Sequence, residues 1–177
     1  MPTSPSRSAS PSALATLDKG AARTPDGVTR GDNLSRTCGS ERTGVVGRNL
    51  LRHLLATGDW EITALSRRKP DVDGGYEHIA VDLLDAVQCE VKLGHLTDIT
   101  HVFFAAVTTS PDAALLVSQN VTLLRNLVET IEPLNRQLKH IHFMQGTKWY
   151  GSHLGPFKTP AREDDPRHLP PNFYYDQ

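Results

Sequence analysis

The chain has 177 residues and a formal net charge of −1 at pH 7, and its acidic and basic residues are interspersed. A chain of this length predicts one domain with its own core, and the near-neutral charge gives no support to a nucleic-acid partner. No apolar run approaches the length of a membrane-spanning helix and no secretory leader is recognisable, so we expect no membrane association. The two cysteines, Cys38 and Cys89, match no metal or redox spacing. This favours a reducing compartment and predicts a cytoplasmic protein.

The first 40 residues form a segment of their own. Residues 1–33 are rich in Ser, Pro, Ala, Gly and Arg and hold almost no large apolar side chains. Such a segment cannot bury enough surface to offset the entropy of ordering it. We therefore divide the chain into a disordered low-complexity segment at residues 1–40 and a partial NADP-binding Rossmann-like domain at residues 41–177.

The glycine turn formed by Gly44 and Gly47 opens the most informative stretch. Apolar residues at helical spacing follow it, Gly58 ends that pattern, and residues 60–65 have the composition of a short strand. Two arginines follow this strand, about 20 positions after the glycines. A glycine turn, a helix, a strand and charged residues at this spacing form the second half of a dinucleotide-binding βαβ unit.

Each part of this unit has a chemical reason. Glycines let the backbone approach a pyrophosphate, and the helix that follows offers N–H groups and the positive end of its dipole. An acid after the strand would bind the free 2′-hydroxyl of NAD, whereas Arg67 and Arg68 can hold the 2′-phosphate of NADP. The pattern therefore favours NADP, with Gly44, Val46 and Gly47 at the pyrophosphate. The alternative interpretation is an ordinary helix start followed by a solvated strand end.

The strand that should precede the glycine turn is missing from the pattern. A full fingerprint has its first glycine where Glu41 stands, and residues 29–40 contain one aliphatic residue. That is too few for a buried central strand. The sequence therefore predicts a Rossmann unit without its usual first strand.

A third strand leads to a further cofactor contact. Residues 77–81 predict this strand, which ends at Asp82 and Leu83. Many Rossmann enzymes place an aspartate here against the adenine amino group. The alternative is that Asp82 caps the helix predicted at residues 85–93.

The rest of the domain repeats the alternation of strand and helix. Residues 101–107 form a continuous apolar run, typical of a parallel strand buried on both faces. The small side chains of Ala105 and Ala106 at its end would let the cofactor ribose pass close by. A helix is predicted at residues 112–131, and another strand at residues 139–145 leads to Lys148.

Four predicted strands thus alternate with helical stretches. This pattern predicts an α/β fold, a Rossmann-like open parallel sheet that is doubly wound. Ligands bind such sheets beyond the carboxyl ends of the strands. Arg67, Ala105 and Lys148 all follow strand ends, and their convergence supports a nucleotide site more than any single motif does.

The Tyr-x-x-x-Lys dyad of short-chain dehydrogenases is absent, since Tyr150 is followed four residues later by Leu154. Four other motifs are more specific. They are Thr-His-Val-Phe at 100–103, Gly-Thr-Lys-x-Tyr at 146–150, Gly-Pro-Phe at 155–157 and Asn-Phe-Tyr-Tyr-Asp at 172–176. Together they resemble the progesterone 5β-reductase/iridoid synthase-like enzymes, an atypical branch of the extended short-chain dehydrogenases. The resemblance covers about residues 43–177.

The resemblance implies a reaction and a catalytic pair. Enzymes of that family supply the lysine and the tyrosine from separate segments, and Lys148 and Tyr174 match them, with Tyr175 as the second choice. The implied reaction is the NADPH-dependent conjugate reduction of a small enone or carbonyl compound. Hydride goes to the β-carbon, and Tyr174, supported by Lys148, stabilises the developing enolate oxygen. Without the resemblance, Lys148 would be interpreted as a surface lysine and the aromatic cluster as packing.

The resemblance also implies pieces that the sequence does not show. Family members continue through a helix that bears the tyrosine and then through a substrate-binding region, whereas only Asp176 and Gln177 follow the tyrosine pair here. We therefore expect a fragment-like chain that lacks the C-terminal substrate region and does not turn over as it stands. Exposed sheet edges would favour a homo-oligomer.

Two alternative functions stay open. One is a non-catalytic nucleotide-binding or interaction module on a retained Rossmann scaffold. The other is an NAD-dependent sugar epimerase or dehydratase relative, against which the missing Tyr-x-x-x-Lys dyad argues. No metal site is expected, because His140 and His142 share a strand face without a third ligand.

Overall fold

The computed structural model describes residues 15–19 and 44–169. Within them, five strands form one sheet, accompanied by three α-helices and two short 3-10 helices. The strands are β1 Ala15–Lys19, β2 Thr63–Ser66, β3 Glu77–Ala80, β4 Ile99–Phe104 and β5 His140–Phe143. The α-helices are α1 Val45–Thr57, α2 Ala86–Leu93 and α3 Ala113–Ile131. The 3-10 helices are Glu132–Leu134 and Thr147–Tyr150.

The order of the strands across the sheet is β3-β2-β1-β4-β5. This is the order of a dinucleotide-binding sheet. β2 pairs in parallel with β3, and β4 pairs in parallel with β5. α2 connects β3 to β4, and α3 connects β4 to β5. The open α/β sheet that the sequence predicts is therefore confirmed.

β1 occupies the position of the usual first strand but runs in the opposite direction. It pairs antiparallel with β2 on one side and with β4 on the other. In the described part of the chain, no parallel strand leads into the glycine turn. The expectation of an unstructured segment at residues 1–40 differs from the structure at Ala15–Lys19, and the rest of that segment lies outside the described residues.

The neighbouring strands explain why a segment fills this position. β2 is buried along its whole length, and β4 is mostly buried. With an empty slot between them, each would carry a row of N–H and C=O groups without partners. An extended segment supplies those partners through its backbone, so the side-chain pattern gives little warning of it.

The register places the strand ends at one level. Ala15 pairs with Leu65 of β2 and also with Phe104 of β4. β3 and β5 run parallel and in register beside these two strands. The four parallel strands therefore end on the same side of the sheet, which we call the carboxyl edge.

The helices cover the two faces of the sheet with separate apolar clusters. On one face, Leu51 and Leu54 of α1 meet Ile62 just before β2. On the other face, α2 and α3 pack against β2 and β4. This larger cluster includes Leu65, Leu93, Val102, Phe104 and Leu127.

The helix ends follow local signals. Asp112 caps α3 by accepting two backbone N–H groups at 2.8 and 3.1 Å, and Asp85 caps α2 by accepting one at 3.0 Å. Gly58 ends α1 with a φ of +70°, a conformation that a side chain would strain. The helices predicted at residues 85–93 and 112–131 are confirmed to within one residue.

A buried amide fixes the amino end of β4. Asn135 accepts the backbone N–H of Ile99 through Oδ1 at 2.6 Å. Its Nδ2 donates to the carbonyls of Leu96 and Ile131 at 2.8 and 2.7 Å. These bonds tie the end of α3 to the start of β4, so the strand enters the sheet in a fixed position.

β5 has four exposed side chains. Ile141 and Phe143 are 36% and 43% exposed. Within residues 15–19 and 44–169, β5 pairs with β4 alone. None of the helices in this part of the chain combines the length and the apolar character that a membrane span requires.

Candidate functional site

The carboxyl edge gathers most of the segments that the sequence singles out. Arg67 and Arg68 follow β2, Asp82 and Leu83 follow β3, Ala105 and Ala106 follow β4, and Lys148 follows β5. α1 packs on the sheet and leads into β2, so it runs antiparallel to that strand and its first turn lies at the same edge. β2 and β5 are three strand positions apart, a distance of about 14 Å. The edge therefore offers a track for a ligand across the sheet.

The first turn of α1 is open to an anion. Gly44 precedes the helix in an extended conformation, no described side chain caps the helix, and its first turn holds no acidic residue. A Cβ built on Gly44 would meet nothing within 4 Å, and Val46 is 57% exposed. The positive end of the helix dipole is therefore accessible to a negatively charged group.

Arg48 adds an unsatisfied donor beside this turn. Its Nε atom is buried and has no hydrogen-bond partner in the part of the chain that the structure describes. A buried guanidinium donor without an acceptor is costly.

A hydrogen-bonded turn carries Arg67 and Arg68. Ser66, the last residue of β2, is 1% exposed, and its hydroxyl donates to the carbonyl of Arg68 at 2.6 Å. The same hydroxyl lies 2.8 Å from Nε2 of His78 on β3. Two strands therefore hold the backbone from which the guanidinium groups extend.

The loop that follows the arginines is also fixed. Tyr76 donates its hydroxyl to the carbonyl of Pro70 at 2.9 Å, and the ammonium of Lys69 lies 5.7 Å from the centroid of its ring. Gly74 has a φ of +145°, and a Cβ there would lie 2.8 Å from Cδ1 of Leu55. The loop thus packs on α1, which links the arginine turn to the helix that begins at the glycine turn.

Asp82 does not cap α2. Its Oδ1 accepts the backbone N–H of Leu84 at 3.0 Å, and Asp85 provides the cap. The alternative interpretation of Asp82 as a helix cap is therefore wrong. The side chain of Leu83 is buried in the larger apolar cluster, so its backbone is the part that can face a ligand.

A second buried amide holds the loop after β4. Asn120 accepts the backbone N–H of Thr108 at 2.9 Å. It donates to the carbonyls of Thr108 and Leu116 at 3.1 and 2.8 Å. α3 thereby fixes the segment that contains Ala105 and Ala106, both of which are at least partly buried.

An apolar cavity of about 370 Å³ lies between α3 and the carboxyl ends of β4 and β5. This volume falls in the range of small-molecule pockets. Its lining includes Phe104, Ala106, Val121, Leu124, Phe143 and Met144.

Lys148 lies in the 3-10 helix after β5 and is exposed. Tyr150 in the same turn donates its hydroxyl to the carbonyl of Arg162 at 2.9 Å. Desolvation and then nearby carboxylates raise the pKa of Tyr150, which is the opposite of what a catalytic tyrosine needs. Tyr174 and Tyr175 lie outside the described residues, so the pairing of Lys148 with either tyrosine stays a prediction.

Other reactive side chains do not join the site. Cys89 is buried, and burial, followed by the charges of Asp85, Asp82 and Glu90, raises its pKa to about 11. A thiol with such a pKa is a poor nucleophile at neutral pH. Among the residues that the structure describes, no three His, Cys, Asp or Glu side chains are grouped to hold a metal ion.

The sequence points to the arginines but not to the polar residues that hold their backbone. Asn120 is a polar residue on the apolar face of α3, and that position is a signal of a buried hydrogen bond. Ser66 at the buried end of a strand gives a similar signal. No sequence pattern identifies His78, because its partner lies on another strand.

The chemistry of these groups fits a phosphorylated nucleotide. The first turn of α1 suits a pyrophosphate. Two adjacent arginines suit one further phosphate. The small side chains of Ala105 and Ala106 leave room for the backbone to approach a ribose.

Known proteins resemble most of this chain. The family model of the PRISE-like Rossmann-fold domain matches residues 75–175. A 3-oxo-Δ(4,5)-steroid 5β-reductase of Arabidopsis thaliana is 35% identical over 153 residues, which cover 76% of this chain and 38% of the relative. An (S)-8-oxocitronellyl enol synthase of Camptotheca acuminata is 34% identical over 149 residues, which cover 75% of this chain and 37% of the relative. The chain therefore spans less than two fifths of the length of the curated relatives it matches.

One solved structure, of an NAD-dependent epimerase/dehydratase from Methylobacillus flagellatus, aligns with 61% of this chain and 36% of its own. The TM-score is 0.44 and the identity is 23%. This likeness is too distant to carry a functional argument.

Proposed function

Because the chain belongs to the PRISE-like family of Rossmann-fold proteins, we propose that it is an NADPH-dependent reductase of small enones. One observation carries the proposal. The first turn of α1, which no described side chain caps, shares the carboxyl edge with the fixed arginine turn and Lys148. The names of the relatives, a steroid reductase and an enol synthase, support reductive chemistry on small molecules.

In this proposal the carboxyl edge binds NADPH from β3 to β5. The backbone at Gly44, Val46 and Gly47 holds the pyrophosphate through N–H groups. Arg67 and Arg68 bind the 2′-phosphate with charge-assisted hydrogen bonds. The small side chains after β4 admit the second ribose. Asp82 and the backbone of Leu83 face the adenine.

Lys148 and Tyr174 act on the substrate. NADPH, when bound, would supply a hydride to the β-carbon of the carbon–carbon double bond, and a proton from water would then convert the enolate to the product. The hydroxyl of Tyr174 donates a hydrogen bond to the enone oxygen, and this bond strengthens as negative charge develops there. The positive charge of Lys148 favours the same development of charge.

Two further features support a cellular compartment and an oligomeric state for this proposal. The thiol of Cys89 is free and buried, which suits a reducing compartment such as the cytoplasm. The exposed edge strand β5 suits a homo-oligomer.

Cofactor preference tests the binding half of this proposal. We expect the purified chain to bind NADPH more tightly than NADH, and the Arg67→Ala/Arg68→Ala variant to lose about tenfold to a hundredfold in NADPH affinity, because charge-assisted hydrogen bonds to the 2′-phosphate are removed. NADH affinity should change little. Fluorescence titration of both cofactors measures this.

A matched control removes two positive charges at the opposite edge of the sheet. Arg136 and Lys139 precede the amino end of β5, so Arg136→Ala/Lys139→Ala changes the net charge equally without touching the carboxyl edge. Equal loss of NADPH affinity in both double variants would mean that overall charge, not a 2′-phosphate site, causes the preference. Absence of NADPH binding by a folded chain would overturn the proposal.

Turnover tests the catalytic half. Turnover of NADPH with a small cyclic enone would contradict the expectation that the chain does not turn over as it stands. If turnover is seen, we expect Tyr174→Phe to lower kcat by about a hundredfold or more, because one donor to the developing oxyanion is lost. Tyr175→Phe is the matched control and should keep most of the activity. Absorbance at the reduced-nicotinamide band follows the reaction. A larger loss from Tyr175→Phe would move the catalytic role to Tyr175.

A second function is favoured by one feature of the sheet. The central strand β1 runs antiparallel and does not lead into the glycine turn, so the turn lacks its usual direct support from that strand. A nucleotide-binding module without catalysis fits this arrangement. Saturable NADPH binding together with no enone turnover by the wild-type chain would favour this second function.

A further inference from the structure

Ser66 links two strands to the arginine turn through a single hydroxyl group. Its Oγ lies 2.6 Å from the carbonyl oxygen of Arg68 and 2.8 Å from Nε2 of His78. Ser66 is 1% exposed, so water does not compete effectively for these bonds. The contact joins the end of β2, the middle of β3 and the turn.

The hydrogens of this contact can be assigned. A hydroxyl group has one hydrogen to donate, and a carbonyl oxygen only accepts. The hydrogen of Ser66 therefore goes to the carbonyl of Arg68, and Nε2 of His78 must carry the hydrogen that Ser66 accepts. The result is a directed chain from the imidazole through the hydroxyl to the backbone of the second arginine.

We propose that Ser66 and His78 are positioning residues that set the preference for a 2′-phosphate by holding the backbone of Arg67 and Arg68. This inference rests on the proposed binding of NADPH. It adds that discrimination between phosphorylated and unphosphorylated ribose depends on two side chains that do not touch the phosphate.

The physical reason for this preference is that the arginine turn is already ordered before the phosphate binds. Two long arginine side chains lose rotamer freedom when they bind a phosphate, and a mobile backbone beneath them would lose further freedom. The hydrogen bonds from His78 through Ser66 to the turn order the backbone in advance, so binding does not cost this backbone freedom. The loop after the turn is held too, because Tyr76 binds the carbonyl of Pro70 at 2.9 Å. Ligands without a 2′-phosphate gain nothing from this order.

The test uses two nucleotides that differ only in the 2′-phosphate, adenosine 2′,5′-bisphosphate and adenosine 5′-monophosphate. Calorimetric titration of the full chain gives the ratio of their dissociation constants. We expect Ser66→Ala to reduce that ratio by about fivefold or more, the effect of one net hydrogen bond. The affinity for the monophosphate should not change. Ser66→Thr keeps the hydroxyl and should restore the wild-type ratio.

Thr63→Val is the matched control for loss of a buried hydroxyl. Thr63 lies at the other end of β2, is fully buried, and donates its hydroxyl to Oε2 of Glu77 on β3 at 2.6 Å. It thus bridges the same two strands away from the carboxyl edge. We expect this variant to lose stability but to keep the wild-type ratio of affinities.

His78→Leu tests the same series of hydrogen bonds if Ser66→Ala does not fold. It removes the donor to Ser66 at a partly exposed position, and it should reduce the ratio in the same direction. An unchanged ratio in either folded variant would overturn the positioning role and leave the NADPH proposal intact. A wild-type chain that does not discriminate between the two nucleotides would overturn both proposals.

Discussion

Asn135 lies 2% exposed between the end of α3 and the start of β4, and three backbone groups depend on its amide. We expect Asn135→Ala to lower the free energy of unfolding by about 3 kcal/mol or more, because each buried group left without a partner carries a desolvation penalty. Asn126→Ala is the control, since the side chain of Asn126 makes one hydrogen bond within the described residues, to the carbonyl of Leu83 at 2.8 Å. It should cost about 1 kcal/mol. Urea unfolding measures the loss of stability in both variants. Equal losses would contradict the role of Asn135 in holding three backbone groups.

Two partly buried imidazoles couple stability to pH. Burial is the largest cause of the lowered pKa of both His78 and His101. A hydrogen bond to the backbone of Ser66 partly opposes the shift in the pKa of His78, and nearby positive charges lower both pKa values further. In the unfolded chain a histidine titrates near pH 6.5, so below that pH the unfolded chain binds more protons than the folded one. The stabilisation is therefore complete above the unfolded pKa and is lost as the pH falls through the folded pKa.

The measurement compares the free energy of unfolding at about pH 7.5 and about pH 5.5. We expect the lower value at the lower pH. The variants His78→Gln and His101→Gln should each reduce the difference, because glutamine does not titrate. A difference that persists unchanged in both variants would assign the pH dependence to other groups.

At the scale of the element, β1 is the strand that joins the two parallel pairs of the sheet. Thr16 pairs with Ala64 of β2 and with Phe103 of β4. Thr16→Pro removes a backbone donor and is expected to lower the free energy of unfolding by about 3 kcal/mol or more. Thr16→Ala keeps the backbone donor and serves as the control, with a small expected change. Thermal unfolding of both variants measures this difference in stability. Equal midpoints would show that β1 does not support the sheet.

The elements differ in how far the sequence predicts them, and the difference follows the range of the interactions that form them. α3 is predicted to within a residue because its apolar period and its Asp112 cap are local. β1 escapes prediction because it fills the sheet through its backbone groups, and the residues around it lack the apolar pattern of a buried strand. In the site, the arginine pair follows a recognisable spacing, whereas the contact between Ser66 and His78 exists only once β2 and β3 have paired.

At the scale of the whole molecule, the described sheet consists of two parallel pairs joined by β1. The pair β2–β3 carries the arginine turn, and the pair β4–β5 leads to Lys148. β1 lies between them and is hydrogen-bonded to both. The ends of the proposed cofactor site therefore belong to different pairs, and β1 sets the distance between them.

The position of β1 also has a consequence for synthesis on the ribosome. Ala15 pairs with Leu65 and Phe104, about 50 and about 90 positions later in the chain. β1 is thus translated before either partner and cannot be enclosed on both sides until residue 104 has left the exit tunnel. Long-range pairing of this kind forms late. Among the described strands, β1 is translated first but is the last to gain both of its partners, and until then the nascent chain exposes the facing edges of β2 and β4 to chaperones.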